Sequence, residues 1–150
     1  MVTSPPDTAS VHAQPSYDGP GYWFVEHGGE VEIELAARSP AGIFEAALAA
    51  FAELVTAGRA REPTRRTIEL TGRDRCLLLV DWLNELLYLA EVEHFIPVEV
   101  ATLELTPDSL CATVEGRLGA PRPIVKGVAL TELRFACEGG VWHGHVVLDV

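Results

Sequence analysis

The chain predicts an α+β domain in which two helices pack on one face of a largely antiparallel sheet, giving two layers. Three observations carry this. Two segments, Ser39 to Gly58 and Asp74 to about Glu91, place apolar residues at helical spacing behind an N-capping side chain. Short segments around them alternate apolar and polar residues, most strictly Val31-Glu32-Ile33-Glu34-Leu35. From Phe95 onward, extended segments follow one another through short turns, which favours antiparallel pairing.

Residues 1 to 21 hold Pro5, Pro6, Pro15 and Pro20 among small polar residues and lack apolar periodicity, so a disordered tail is expected there. The domain is expected over 22–150. Tyr22 to Glu26 reads as a strand and His27-Gly28-Gly29-Glu30 as a turn. Val31 to Leu35 completes a hairpin with its glutamates outward. Ser39 then caps a helix with Pro40 in its first turn and Gly58 as its stop. That helix should bury one stripe. Arg65 to Leu70 is a strand. Asp74 caps the second helix, whose apolar residues cover more than one face, so it should be the more buried. Phe95 to Thr106 is extended, with Pro97 at its start, at an edge or at a bulge. Leu110 to Leu118, Ile124 to Cys137 and Val141 to Leu148 complete the chain, the last two joined at Glu138-Gly139-Gly140. The order is β-β-α-β-α-β-β-β-β.

A length of 150 residues with 48% hydrophobic content suits one globular domain with its own core. No apolar run approaches the roughly 20 residues of a membrane-spanning helix. Met1 to Tyr22 holds no basic residue and no apolar segment, unlike a secretory signal, and a cytoplasmic location is expected. Cys76, Cys111 and Cys137 form no C-x-x-C pair and read as buried, reduced thiols. The net charge of −11 argues against direct binding of nucleic acid. Six of the eleven basic residues are Arg59, Arg61, Arg65, Arg66, Arg73 and Arg75. This cluster suits an acidic partner or RNA, but a solvated loop and strand edge explains it better.

The chain has no phosphate-binding glycine loop and no G-x-S-x-G nucleophile motif. His143 and His145 share one face of the last strand, yet His145 and Asp149 stand roughly 13 Å apart at about 3.3 Å per residue. Two surface histidines are the simpler reading. Asp81, Asn84, Glu85 and Tyr88 recur at i, i+3, i+4 and i+7 and form one helical stripe. It is read first as the solvated face of a buried helix and second as a partner surface. Glu30 opens one strand, Asp149 closes the last, and Val150 adds a carboxylate. Clustered oxygens of this kind suit Ca²⁺ or Mg²⁺ if the first and last strands are neighbours, which composition cannot show.

The run Leu79-Val80-Asp81-Trp82-Leu83-Asn84-Glu85-Leu86-Leu87-Tyr88-Leu89 closely resembles the mid-chain helix of the archease family. Glu26-His27-Gly28-Gly29-Glu30 is similar to that family's opening Glu-His-Thr-Ala-Asp hairpin. Val125-Lys126-Gly127-Val128 is similar to its lysine-bearing strand, and Leu148-Asp149-Val150 to its ending. The resemblance covers Tyr22 to Val150. It departs in four places: Glu30 replaces an aspartate, Gly28-Gly29 replaces Thr-Ala, Leu130-Thr131 replaces Tyr-His, and the charged segment before the lysine is shortened to Gly119-Ala120-Pro121-Arg122-Pro123.

The resemblance implies an accessory protein, not an enzyme, that promotes guanylylation and turnover of a GTP-dependent tRNA-splicing RNA ligase. It implies a divalent cation, Ca²⁺ before Mg²⁺ or Mn²⁺, held by Glu30, Asp149 and Val150, with His27 and Lys126 in support. The partner is the ligase protein. Two alternatives stand beside it. One is a metal-free, chaperone-like binding module that contacts partners through Asp81, Asn84, Glu85 and Tyr88 or through Arg65 and Arg66. The other is a hydrolase built on His27 with Glu30 or His145 with Asp149, which lacks a nucleophile.

Overall fold

A computed structural model describes residues 21–58 and 62–150. The expected tail lies outside the described residues apart from Gly21, and so do Arg59 and Arg61. The element order agrees with the expectation: β1 (Gly21–His27), β2 (Glu30–Ala37), α1 (Pro40–Val55), β3 (Pro63–Thr71), α2 (Arg75–Glu93), β4 (Phe95–Thr106), β5 (Ser109–Leu118), β6 (Gly127–Glu138) and β7 (Val141–Asp149).

Every ladder is antiparallel, as expected, but the strands divide into two sheets, β1-β2-β7-β6 and β3-β5-β4. The break falls between β5 and β6, where residues 119–126 carry Pro121 and Pro123. Neither proline can donate to a ladder, so the chain leaves one sheet there and enters the other. Arg122 N–H binds the Val55 carbonyl at 2.8 Å, and Val125 is buried, so this crossing is tied down on the end of α1.

Local chemistry explains the helix starts. Ser39 Oγ accepts from Gly42 N–H at 3.1 Å with Pro40 in the first turn, and an Asp74 carboxylate oxygen accepts from Leu77 N–H at 3.0 Å. The first helix ends earlier than Gly58 implies. Thr56 closes it by directing both its N–H (2.9 Å) and its hydroxyl (2.6 Å) to the Ala52 carbonyl. Pro97 sits at an irregularity of the β4–β5 ladder, as its missing N–H requires.

Each helix touches both sheets. α1 packs on β1, β2 and β7 from one and β4 from the other; α2 packs on β6 and on β3, β4 and β5. This reverses the expected burial. α1 buries nine of its sixteen residues and α2 eight of nineteen. Ala46, Ala47 and Ala50 let strands approach α1 from several sides, whereas α2 keeps Tyr88 and Val92 at the surface. The core joins Phe44, Phe51, Trp82 and Phe95 to Ile33, Leu35 and Ile68. Trp82 is fully buried; its Nε1–H donates to the Phe44 carbonyl at 3.0 Å, and its ring meets Phe44 edge-on. A buried indole needs such a partner.

Candidate metal-binding face

Strand β7 lies between β2 and β6, and this brings the two ends of the domain together. The inner side of that sheet is apolar: Val31, Ile33 and Leu35 of β2 face the core with Val146 and Leu148 of β7. Strand alternation therefore places Glu30, Glu32 and Glu34 on the outer side with His145, Val147 and Asp149. The register sets Glu30 opposite Asp149, and Gly127 opposite Asp149 from the other flank. Val150 N–H donates to the Gly29 carbonyl at 2.9 Å, and Lys126 N–H donates to the Asp149 carbonyl at 2.7 Å. Gly28 adopts φ +49° in the tight turn, a conformation that favours glycine. The five residues Glu30, Asp149, Val150, Lys126 and His27 thus gather at one sheet end. His27 turns to a different carboxylate: its Nε2 lies 2.5 Å from Glu32 Oε2.

A second group lies along the same face. His145 is not a surface histidine; only 8% of it is exposed. Its Nδ1–H donates to the Glu132 carbonyl at 2.6 Å, and its Nε2 lies 2.8 Å from Glu32 Oε1 and 3.7 Å from Glu34 Oε2. Burial alone would lower the imidazole pKa. The Glu132 carbonyl and the Glu32 and Glu34 carboxylates outweigh it and leave the pKa above the ordinary histidine value. Glu32, bonded to His145 and to His27, is held below the ordinary glutamate range despite its desolvation. One donor atom each from Glu32, Glu132 and His145 falls within 4.8 Å of the others, a separation compatible with a shared metal ion.

The sequence showed the β2 glutamates as outward residues and showed no role for Glu132. The register between β6 and β7 jumps from Ala129↔Val147 to Arg134↔His145, so residues 130–133 bulge opposite Val146 alone. Glu132 sits in this bulge at φ 57°. The bulge carries it over His145, which is why the histidine is buried. Only the unusual departure from alternation at Leu130-Thr131-Glu132 hinted at this.

The remaining candidates lie elsewhere. Asn84 and Tyr88 are exposed on α2, with Asp81 and Glu85 half-buried beside them, and Asp81 lies 3.7 Å from Arg73. Arg65 bonds its cross-strand partner Glu115 at 2.6 Å. Arg66 bonds Glu93 at 2.7 Å and stacks 5.2 Å from the Phe95 ring centre. Both arginines are therefore engaged within the fold, which weakens them as a docking patch. All three cysteines are free, but Cys111 and Cys137 are exposed and not buried, because each lies on the solvent side of its strand.

A model of the Archease protein family matches residues 22–150. The protein archease of Methanosarcina mazei is 32% identical over 142 residues, covering 88% of this chain and 97% of that one. A solution structure of a Methanobacterium thermoautotrophicum protein superposes with TM-score 0.63 at 24% identity, covering 87% of this chain and 99% of that one. The crystal structure of an archease from Thermotoga maritima, described as a possible chaperone, superposes with TM-score 0.59 at 18% identity, covering 84% and 94%.

Proposed function

The chain belongs to the archease family, and from that premise we propose that it is an accessory protein of a tRNA-splicing RNA ligase. In this reading it promotes guanylylation of the ligase by GTP and its repeated turnover, while performing no bond chemistry of its own. A divalent cation sits at the edge built from Glu30, Asp149 and Val150, with Ca²⁺ the best match to an all-oxygen donor set.

One observation carries this reading: the facing register of Glu30 and Asp149, with Val150 bonded to Gly29 beside them. Two exposed carboxylates opposite one another repel unless a cation joins them. Among the described residues neither side chain is drawn into an ion pair, so both keep their oxygens for a ligand. Lys126 and Gly127 close the third side of this edge through β6. The net charge of −11 suits a partner protein that binds RNA through a basic mouth, by complementary potential. The test adds the protein to purified ligase with GTP and metal. Ligase–GMP should accumulate faster and at less than stoichiometric amounts; no effect at equal amounts overturns the proposal.

A second reading rests on α2. Tyr88 and Val92 are 50% and 61% exposed one helical turn apart, beside Asn84, and form a metal-independent contact surface. It predicts that Tyr88→Ala weakens ligase binding while Glu30→Ala and Asp149→Ala leave it unchanged.

A further inference from the structure

We propose that Glu32, Glu132 and His145 form a binding site for a first-row divalent transition metal of the zinc class, separate from the Glu30–Asp149 edge. The inference does not depend on the ligase reading.

Four features of the structure support it. The donor atoms already converge, one from each residue within 4.8 Å of the others. Ligand bonds of about 2.0–2.2 Å require donors within roughly 4.4 Å of each other, so a small rotation of the exposed Glu132 side chain completes the set. Second, the histidine is oriented as a ligand. The Glu132 carbonyl accepts from Nδ1–H at 2.6 Å, which anchors that nitrogen, and Nε2 donates its own proton to Glu32 at 2.8 Å, the proton that a metal ion displaces on binding. Metal-bound histidines characteristically anchor their other nitrogen this way. Third, Glu32 is itself anchored: His27 holds Oε2, so Oε1 points at His145. Fourth, Glu132 occupies a left-handed conformation, φ 57°, that non-glycine residues rarely adopt. The bulge that imposes it brings both the Glu132 carbonyl and its carboxylate to the same imidazole.

The donor chemistry selects the metal. Imidazole nitrogen with two carboxylates suits Zn²⁺ or Co²⁺, whereas Ca²⁺, Mg²⁺ and Mn²⁺ favour oxygen ligands. Glu34, whose Oε2 lies 3.7 Å from His145 Nε2, is within reach as a fourth ligand. The two sites are separable along the strand, since Glu30 and Glu32 stand about 7 Å apart at 3.3 Å per residue.

The test uses Co²⁺ as a spectroscopic probe on the full chain after chelator treatment and dialysis, followed by competition with Zn²⁺. One equivalent of Co²⁺ should give visible d–d absorption that Zn²⁺ abolishes. His145→Gln should weaken binding by more than about 100-fold, beyond the 10–100-fold typical of losing an outer-shell partner. Glu132→Gln, at an exposed side chain, should weaken it at least about tenfold with the fold intact by circular dichroism. The double variant Glu30→Gln/Asp149→Asn, which lacks the other edge's carboxylates, should keep the Co²⁺ d–d absorption and its abolition by Zn²⁺. Absence of Co²⁺ absorption overturns the proposal. So does unchanged affinity in Glu132→Gln, or loss of the signal in the double variant, which would place the metal at the other edge. If His145→Gln fails to fold, Glu132→Gln and the double variant decide the matter between them.

Discussion

Glu30 and Asp149 lie directly opposite one another in the β2–β7 ladder, at the point where the first hairpin meets the last strand. Like charges at facing positions destabilise an antiparallel pair, by an amount comparable to the 0.2–1 kcal/mol of favourable pairs. In the presence of chelator, Glu30→Gln should therefore raise the stability of the protein by a few tenths of a kcal/mol. Urea denaturation with and without chelator checks this.

Gly116 and Gly127 should respond oppositely to alanine. A Cβ on Gly116 would stand 2.3 Å from the Ile96 carbonyl oxygen and 2.7 Å from the Phe95 ring, and the backbone contact cannot yield cheaply. Gly116→Ala should cost about 1–3 kcal/mol or more as an overpacked site. A Cβ on Gly127 meets nothing within 4 Å, so Gly127→Ala should stay within about 0.5 kcal/mol. Paired denaturation curves measure both.

Trp82 holds α2 to α1 through the Phe44 carbonyl and an edge-on ring contact at 6.1 Å. Trp82→Ala should cost about 3–5 kcal/mol and Trp82→Phe less, because the smaller ring keeps part of the packing. Cation binding at the outer face should survive Trp82→Phe, as calorimetry on the folded variant would show.

Tyr22 ties β1 to α1 by donating to Glu53 Oε1 at 2.6 Å. Burial, then the hydrogen bond and charge of Glu53, push its pKa from 10.0 up to about 12. The folded state therefore holds the phenol proton more tightly than the unfolded chain. The stabilisation is fully present below pH 10 and is lost as pH rises toward about 12. Ultraviolet titration should show one tyrosine ionising late, and Tyr22→Phe should remove that late step.

The fold was legible in the sequence because its signals are local. Ser39, Asp74 and Pro97 each state a backbone requirement that the structure meets. The division into two sheets was not legible, since it depends on which strands meet after the Pro121–Pro123 crossing. Burial of α1 on several sides was missed for the same reason: its alanines read as a weak stripe until strands are placed around them. At the candidate face, Glu30 and Asp149 were legible as residue types, but their pairing was long-range. The Glu32–Glu132–His145 group was marked only by the break in alternation at Leu130-Thr131-Glu132. Its assembly depends on a bulge in β6, and a uniform strand rise put His145 far from any partner on its own strand while giving no view of the neighbouring one.

Whether a cation joins the facing carboxylates is decided by calorimetric titration of Ca²⁺ and Mn²⁺ into the full, untagged chain beside Asp149→Ala. Saturable binding is expected in the unmodified protein and should vanish in Asp149→Ala while that variant keeps its fold by circular dichroism. Absence of Ca²⁺ and Mn²⁺ binding in the unmodified protein, or equal binding in Asp149→Ala, would contradict a cation at these carboxylates.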